Sequence, residues 1–187
     1  MKEHKRYLPT KEDCKNYTLF LDRDGVINEP IVDDYAKTPQ DFIFCDGAVD
    51  ALGELKNLFK RVIIVTNQQG VHRQVMSEQD LEDVHLKMYN GLNAKGIRYF
   101  DAAFFAPYLR SAEHLWRKPS NGMYTKALEY YEDIDWNKCI MVGDSPGDMA
   151  LADSKGIIKV RILNPQFDFD NQDFTFQSLA DFVDCLS

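Results

Sequence analysis

The 187-residue chain alternates short apolar runs with longer stretches in which apolar residues recur at helical spacing. Residues 17–21 (Tyr-Thr-Leu-Phe-Leu) are such a run and predict a first strand. Ala48, Ala51, Leu52, Leu55 and Leu58 then repeat every three or four positions, one face of a helix. Residues 61–65 (Arg-Val-Ile-Ile-Val) are largely β-branched and predict a strand buried on both faces. Leu81, Val84, Met88 and Leu92 mark the buried stripe of a second helix. Ser77 with Asp80 predicts its capped start, and Gly96 its end. Further along, 101–106 predicts a third strand, 123–131 a helix, 139–142 a fourth strand, 148–155 a short helix, 157–162 a fifth strand and 179–186 a last helix. Residues 107–120 read as a polar loop. Residues 165–176 are acidic and aromatic with no clear period, and their aromatics are expected to cover the sheet rather than meet a ligand.

Strands separated by helices predict an α/β fold with a doubly wound parallel sheet. Such sheets bind ligands at the carboxyl ends of their strands. The length suits a single domain over residues 1–187. The excursion 29–44 is too short to form an independent cap domain, and no internal repeat is visible.

Composition changes this picture in only a few places. The apolar share of 44% and charged share of 28% are those of an ordinary soluble globular protein. The formal net charge of −8 argues against nucleic acid as a partner, and requires any phosphate site to gather its own cations. Cys14, Cys45, Cys139 and Cys185 form no Cys-x-x-Cys pair and have no zinc spacing, which points to a reduced compartment; Cys139 is expected to pack as a small hydrophobe. The charged N-terminus is followed by no apolar signal region, and no run approaches the roughly 18–20 apolar residues of a membrane span. The expectation is a cytoplasmic protein with no membrane partner. No long apolar stripe is left over, so a monomer is expected.

The candidate chemistry lies where the strands end. Asp22 and Asp24 close the first strand. Extended residues i and i+2 share a side, about 6.6 Å apart, and Gly25 allows a sharp turn beyond them. Two carboxylates held together repel, and a hard divalent cation with a preference for oxygen ligands relieves this. Thr66-Asn67-Gln68 closes the second strand, Arg117-Lys118-Pro119 follows the third strand and its loop, and Gly143-Asp144-Ser-Pro-Gly-Asp148 follows the fourth. Singly, each has a structural reading: an acidic turn at Asp22-Arg-Asp24, a turn cap at Thr66-Asn67, a surface lysine at Lys118, helix caps at Asp144 and Asp148. Together, a parallel sheet brings all four to one edge. Asp22, Asp24 and Asp144 are then expected to hold one Mg²⁺, with the Thr66 hydroxyl and Asn67 amide donating to a phosphoryl oxygen. Lys118 would offset the negative charge. Transfer of a phosphoryl group to a carboxylate requires this set.

In their order and spacing over residues 18–155, these motifs resemble the haloacid dehalogenase (HAD) superfamily of phosphatases. The longer strings Phe20-Leu-Asp-Arg-Asp-Gly-Val-Ile-Asn28, Thr66-Asn67-Gln68-Gln69-Gly70-Val71 and Arg117-Lys118-Pro119 resemble its histidinol-phosphate and heptose 1,7-bisphosphate phosphatase branch, whose members lack large caps. The resemblance implies that Asp22 is the nucleophile and Asp24 the general acid and base, its pKa raised by Asp22 and the substrate phosphate when substrate binds. Thr66, the Asn67 backbone and Lys118 would hold phosphoryl oxygens. Asp144 would ligate Mg²⁺ with Asp148 farther out, and Arg117 would contact substrate. His72 and Arg73 read as surface loop. One departure stands out. Many members of the branch carry zinc-binding Cys and His residues before the Arg-Lys-Pro motif, whereas 107–116 here contains no cysteine and only His114. No zinc is expected, and Leu109, Leu115 and Trp116 are expected to order the loop by packing down. The implied function is a Mg²⁺-dependent phosphomonoesterase for a small phosphorylated metabolite. A sugar phosphate such as heptose 1,7-bisphosphate is favoured, because 27–47 looks more like the heptose enzymes. Histidinol phosphate is the alternative. A polynucleotide 3′-phosphatase would need a basic groove, and a catalytically inactive phosphate-binding module would not need the full set of core residues. A receiver domain would place its acidic pair apart from its acceptor aspartate, and a phosphotransferase would need a cap.

Overall fold

The computed structural model describes residues 6–32 and 34–186. Six parallel strands form one sheet: β1 (Thr18–Leu21), β2 (Arg61–Asn67), β3 (Ala102–Ala106), β4 (Cys139–Gly143), β5 (Ile158–Ile162) and β6 (Phe174–Phe176). Their spatial order is β3-β2-β1-β4-β5-β6. The chain therefore runs outward from β1 in one direction through β2 and β3, and returns to the other side of β1 for β4, β5 and β6. That reversal opens a crevice beside β1 at the carboxyl edge, the place where doubly wound sheets bind ligands.

The helices are α1 (Lys11–Cys14), α2 (Ala48–Leu58), α3 (Glu78–Asn93), α4 (Gly122–Tyr130), α5 (Pro146–Asp153) and α6 (Leu179–Asp184). Strand side chains alternate between the two faces of the sheet. Leu19, Leu21, Val62, Ile64, Ile140 and Val142 enter one core with residues of α2, α3 and α6. Phe20, Ile63, Val65, Cys139 and Met141 enter the other with residues of α4 and α5. Burial on both sides explains why 61–65 reads as an unbroken apolar run rather than an alternating one. Cys139 is buried in that second core, as expected of a small hydrophobe.

The predicted capping box is formed at α3, where Ser77 Oγ accepts from Asp80 N and the Asp80 carboxylate accepts from Ser77 N. Gly96 then adopts φ +71° beyond the helix end. Two of these strands and helices were not predicted. The short α1 precedes β1, and β6 lies inside the segment that showed no period. With three residues, β6 is too short to display an alternation. It pairs with β5 through Val160–Phe174 to Ile162–Phe176. Phe174 and Phe176 pack on the first core, so these two aromatics do cover the sheet. No helix among the described residues is long and apolar enough to cross a membrane.

Candidate active site

All four polar strand ends meet at the crevice beside β1. Asp22 follows β1 directly; its N–H donates to Val142 O of β4 at 2.9 Å, so the backbone stays in the sheet while the carboxylate leaves the edge. Close approach there depends on glycine. A Cβ at Gly25, where φ is +81°, would fall 1.9 Å from Asp144 Oδ2. A Cβ at Gly143 would fall 2.4 Å from Asp148 Cγ.

One carboxylate oxygen from each of Asp22, Asp144 and Asp148 lies within 4.8 Å of the others, and all three residues are buried. Among the described residues, Lys118 is the cation paired with them. Lys118 Nζ is 2.8 Å from Asp22 Oδ1 and 2.6 Å from Asp148 Oδ1, and it donates to Val65 O at 2.9 Å. The ammonium is thus ion-paired with two carboxylates at once and hydrogen-bonded to the β2 backbone. Its pKa is raised: burial works against the charge, but Asp148 and Asp22 outweigh it. Three ionised carboxylates against one ammonium leave a formal charge of −2. The cost is visible at Asp22, where burial and then Asp148 push the pKa up to about 7 against the pull of Lys118. Asp144 is pushed well above the ordinary carboxylate range by burial, Asp22 and Asp148. A closely spaced, buried, all-oxygen set short of two positive charges fits a hard divalent cation such as Mg²⁺.

The cluster differs from the expected set in one member, since it contains Asp148 in place of the Asp24 carboxylate. The strand ends at Leu21, so the period-two placement of Asp22 and Asp24 no longer holds where the chain turns. Asp24 lines the same cavity, but its carboxylate is held by other donors than Lys118. Its oxygens accept from Arg23 Nη2 at 2.9 and 3.0 Å, from Asn28 Nδ2 at 2.9 Å and from Gln68 Nε2 at 2.8 Å. Burial alone would raise its pKa. The Arg23 charge and these hydrogen bonds hold it below the usual range instead while no phosphate is beside it. Asp148 has two jobs. Its Oδ2 accepts from Ser145 N and Oγ, closing a capping box at α5, while Oδ1 faces Lys118.

Thr66 is buried at the end of β2, where its Oγ accepts from Gln68 Nε2 at 3.0 Å. The Asn67 side chain is committed elsewhere: Oδ1 accepts from Lys118 N and Nδ2 donates to Lys118 O, so it clamps the lysine's backbone. Arg117 is anchored by a hydrogen bond to Tyr108 O and lines the cavity above the carboxylates. His72 and Arg73 are exposed, as read from the sequence. The cavity has a volume of about 220 Å³. The 29–44 excursion supplies Pro30, Ile31, Tyr35 and Ala36 to one wall, and Asn164, Gln166 and Phe167 supply another.

The second wall was missed in the sequence. Asn164 Nδ2 donates to Asp144 Oδ2 at 2.6 Å, and Phe167 was assigned to the sheet cover. The strand-end rule that found four clusters applies equally to the fifth strand, and would have pointed to Asn164. The loop 107–117 meets its expectation only at Trp116, which packs on the second core. Leu115 is 75% exposed rather than packed down. The Tyr108 and His114 rings stack at 3.4 Å and supply the rest of the loop's order.

The family model described as polynucleotide kinase 3 phosphatase matches residues 18–182. The chain is 37% identical over 136 residues to the D-glycero-alpha-D-manno-heptose-1,7-bisphosphate 7-phosphatase of Mycobacterium bovis, covering 73% of this chain and 71% of that protein. It is 33% identical over 162 residues to the D-glycero-beta-D-manno-heptose-1,7-bisphosphate 7-phosphatase of Rhodopseudomonas palustris, covering 82% and 83%. Among solved structures, the D,D-heptose 1,7-bisphosphate phosphatase of B. bronchiseptica, complexed with magnesium and phosphate, superposes with a TM-score of 0.81 at 29% identity, covering 91% of this chain and 97% of that one.

Proposed function

The chain belongs to the polynucleotide kinase 3 phosphatase family within the haloacid dehalogenase superfamily and is a phosphatase, and from that premise we propose that it is a Mg²⁺-dependent phosphomonoesterase acting on a sugar phosphate through an aspartyl-phosphate. The observation that carries this reading is the buried carboxylate Asp22, 2.8 Å from Lys118 and sharing a cation-deficient cluster with Asp144 and Asp148.

In this mechanism Asp22 attacks phosphorus and the phosphoester bond breaks, leaving the phosphoryl group on its carboxylate. The Lys118 ammonium and Thr66 hydroxyl stabilise charge on the phosphoryl oxygens. Asp22, Asp144 and Asp148 would hold Mg²⁺, which supplies charge neutralisation and polarisation of the phosphoryl group. Asp24 gives a proton to the leaving alkoxide and later takes one from the water that hydrolyses the acyl phosphate. Free Asp24 is held ionised by Arg23, so it must gain its proton as the anionic substrate arrives, the direction in which a nearby like charge drives it.

The relatives' names support a heptose bisphosphate and its 7-phosphate, while differing at the anomeric carbon. The net charge of −8 counts against a polynucleotide substrate. The test is phosphate release, with and without Mg²⁺, from both heptose 1,7-bisphosphate anomers, histidinol phosphate and a 3′-phosphorylated oligonucleotide. Mg²⁺-dependent turnover of a heptose ester is expected. Preference for histidinol phosphate or the oligonucleotide would move the substrate assignment, and no turnover at all would sink the mechanism.

A further inference from the structure

We propose that Phe167 is a specificity-determining residue whose ring forms a fixed aromatic wall for the sugar ring of the substrate, and that Arg161 holds it there; the proposal rests on the phosphatase reading above. The segment after β5 does not continue as sheet. It turns at Asn164, where Phe167 N donates to Asn164 O at 3.1 Å and Gln166 N donates to Asn164 Oδ1 at 2.9 Å. Two buried side chains lock this turn. Asn164, 4% exposed, reaches Asp144 of the carboxylate cluster, so the turn is in register with the reacting centre. Arg161, 7% exposed, sends its guanidinium from β5 to Phe167 O at 2.7 Å and to Phe169 O, and lies 4.0 Å from the centroid of the Phe169 ring.

The backbone of Phe167 is thus tied at both its N–H and its carbonyl, while the residue as a whole is 36% exposed. Phe167 lines the cavity containing Asp22, Thr66 and Lys118. It also borders the wider adjoining cleft, of about 840 Å³, that contains Arg110, His114 and Arg117. An exposed aromatic on an ordinary loop carries no implication. One whose main chain is pinned by a buried arginine and indexed to a catalytic carboxylate is preorganised, and gives contact area with little entropy left to lose on binding. Pro30, Ile31 and Tyr35 line the same cavity. A phosphate ester entering it places its phosphoryl group at Asp22 and its alcohol portion among these apolar groups. The chemistry they suit is a compact ring with a C–H face and polar edges, rather than a linear or fully polar alcohol.

The experiment separates the ring from the phosphate. Asp22→Asn protein with Mg²⁺ is titrated calorimetrically with heptose 1,7-bisphosphate and with inorganic phosphate, alone and combined with Phe167→Ala, Phe167→Tyr or Arg161→Met. The expected result is that Phe167→Ala weakens the ester about tenfold and leaves phosphate within about twofold, while Phe167→Tyr retains ester affinity. Arg161→Met weakens the ester in the same direction, and adding Phe167→Ala to it has little further effect, because the arginine acts through the ring. Equal weakening of both probes, or no change in either on Phe167→Ala, would overturn the proposal. Phosphate bound but ester affinity unaffected counts against the wall alone. Failure of every form to bind phosphate, with the unsubstituted chain inert on all esters, counts against the phosphatase reading and removes the wall with it.

Discussion

At Asp22, stability and chemistry pull in opposite directions. A buried carboxylate with a pKa near 7, crowded by Asp144 and Asp148, destabilises the folded chain at neutral pH when no divalent cation is bound. Asp22→Asn removes one of three mutually repelling charges without changing side-chain size. It is expected to lower kcat at least about 10³-fold while raising the thermal midpoint measured in EDTA; full activity, or a lower midpoint, would contradict the assignment. Gly25 makes a complementary case. An alanine there meets both a left-handed φ of +81° and the Asp144 carboxylate at 1.9 Å. Gly25→Ala should therefore displace Asp144 and cost about 2 kcal/mol or more in urea unfolding, with turnover falling at least about tenfold. These residues also mark how far the sequence could be read. The types at the site were legible because four polar clusters stood at four strand ends. Which carboxylates face each other was not legible for Asp24 and Asp148, because it depends on a turn that begins one residue after the strand stops.

Among the elements, strong periodicity carried the reading and short length defeated it. β1, β2, β4 and β5 were visible as runs rich in apolar residues, and α2 and α3 as stripes long enough to show their period. β6 is defined by its pairing with β5, a tertiary fact that three residues cannot announce. The loop 107–117 is the other instance. Its order comes from the ring stack of Tyr108 on His114, with Arg117 Nη1 donating to Tyr108 O. Stacking between residues six apart in an aperiodic segment leaves no pattern in the chain. Because this clasp holds Arg117 beside Lys118, His114→Ala should raise KM about fivefold with little loss of global stability, through misplacement of Arg117. His114→Phe, which keeps a flat ring, should restore most of the difference. If alanine and phenylalanine behave alike in steady-state kinetics, the stack does not position the site.

For the whole molecule, the ionisations oppose one another in a way that cation binding should reverse. His85 on α3 is pushed down to about 4 by burial and by the Arg23 charge, from an ordinary value of 6.5. It therefore binds fewer protons folded than unfolded across that window, and its contribution makes the fold less stable as pH falls from about 6.5 towards 4. Asp22, raised from 3.8 to about 7, does the reverse. It binds more protons folded than unfolded, so its contribution makes the fold less stable as pH rises through the same window, and Asp144 acts in the same direction. Without a divalent cation, the two carboxylates together outweigh the single histidine, and the thermal midpoint in EDTA should rise as pH is lowered from 7 to 5. With saturating Mg²⁺ the carboxylates are ionised throughout this range and their contribution disappears. The His85 slope then emerges, and the midpoint should fall from pH 7 to 5. Mg²⁺ should also raise the midpoint at pH 7 by roughly 5 °C or more, since it binds only the folded cluster. His85→Gln should flatten the Mg²⁺ profile and steepen the EDTA one. Scanning calorimetry at pH 5, 6 and 7 in both conditions decides the matter: slopes of the same sign with and without Mg²⁺ would mean that Asp22, Asp144 and Asp148 do not form the cation site.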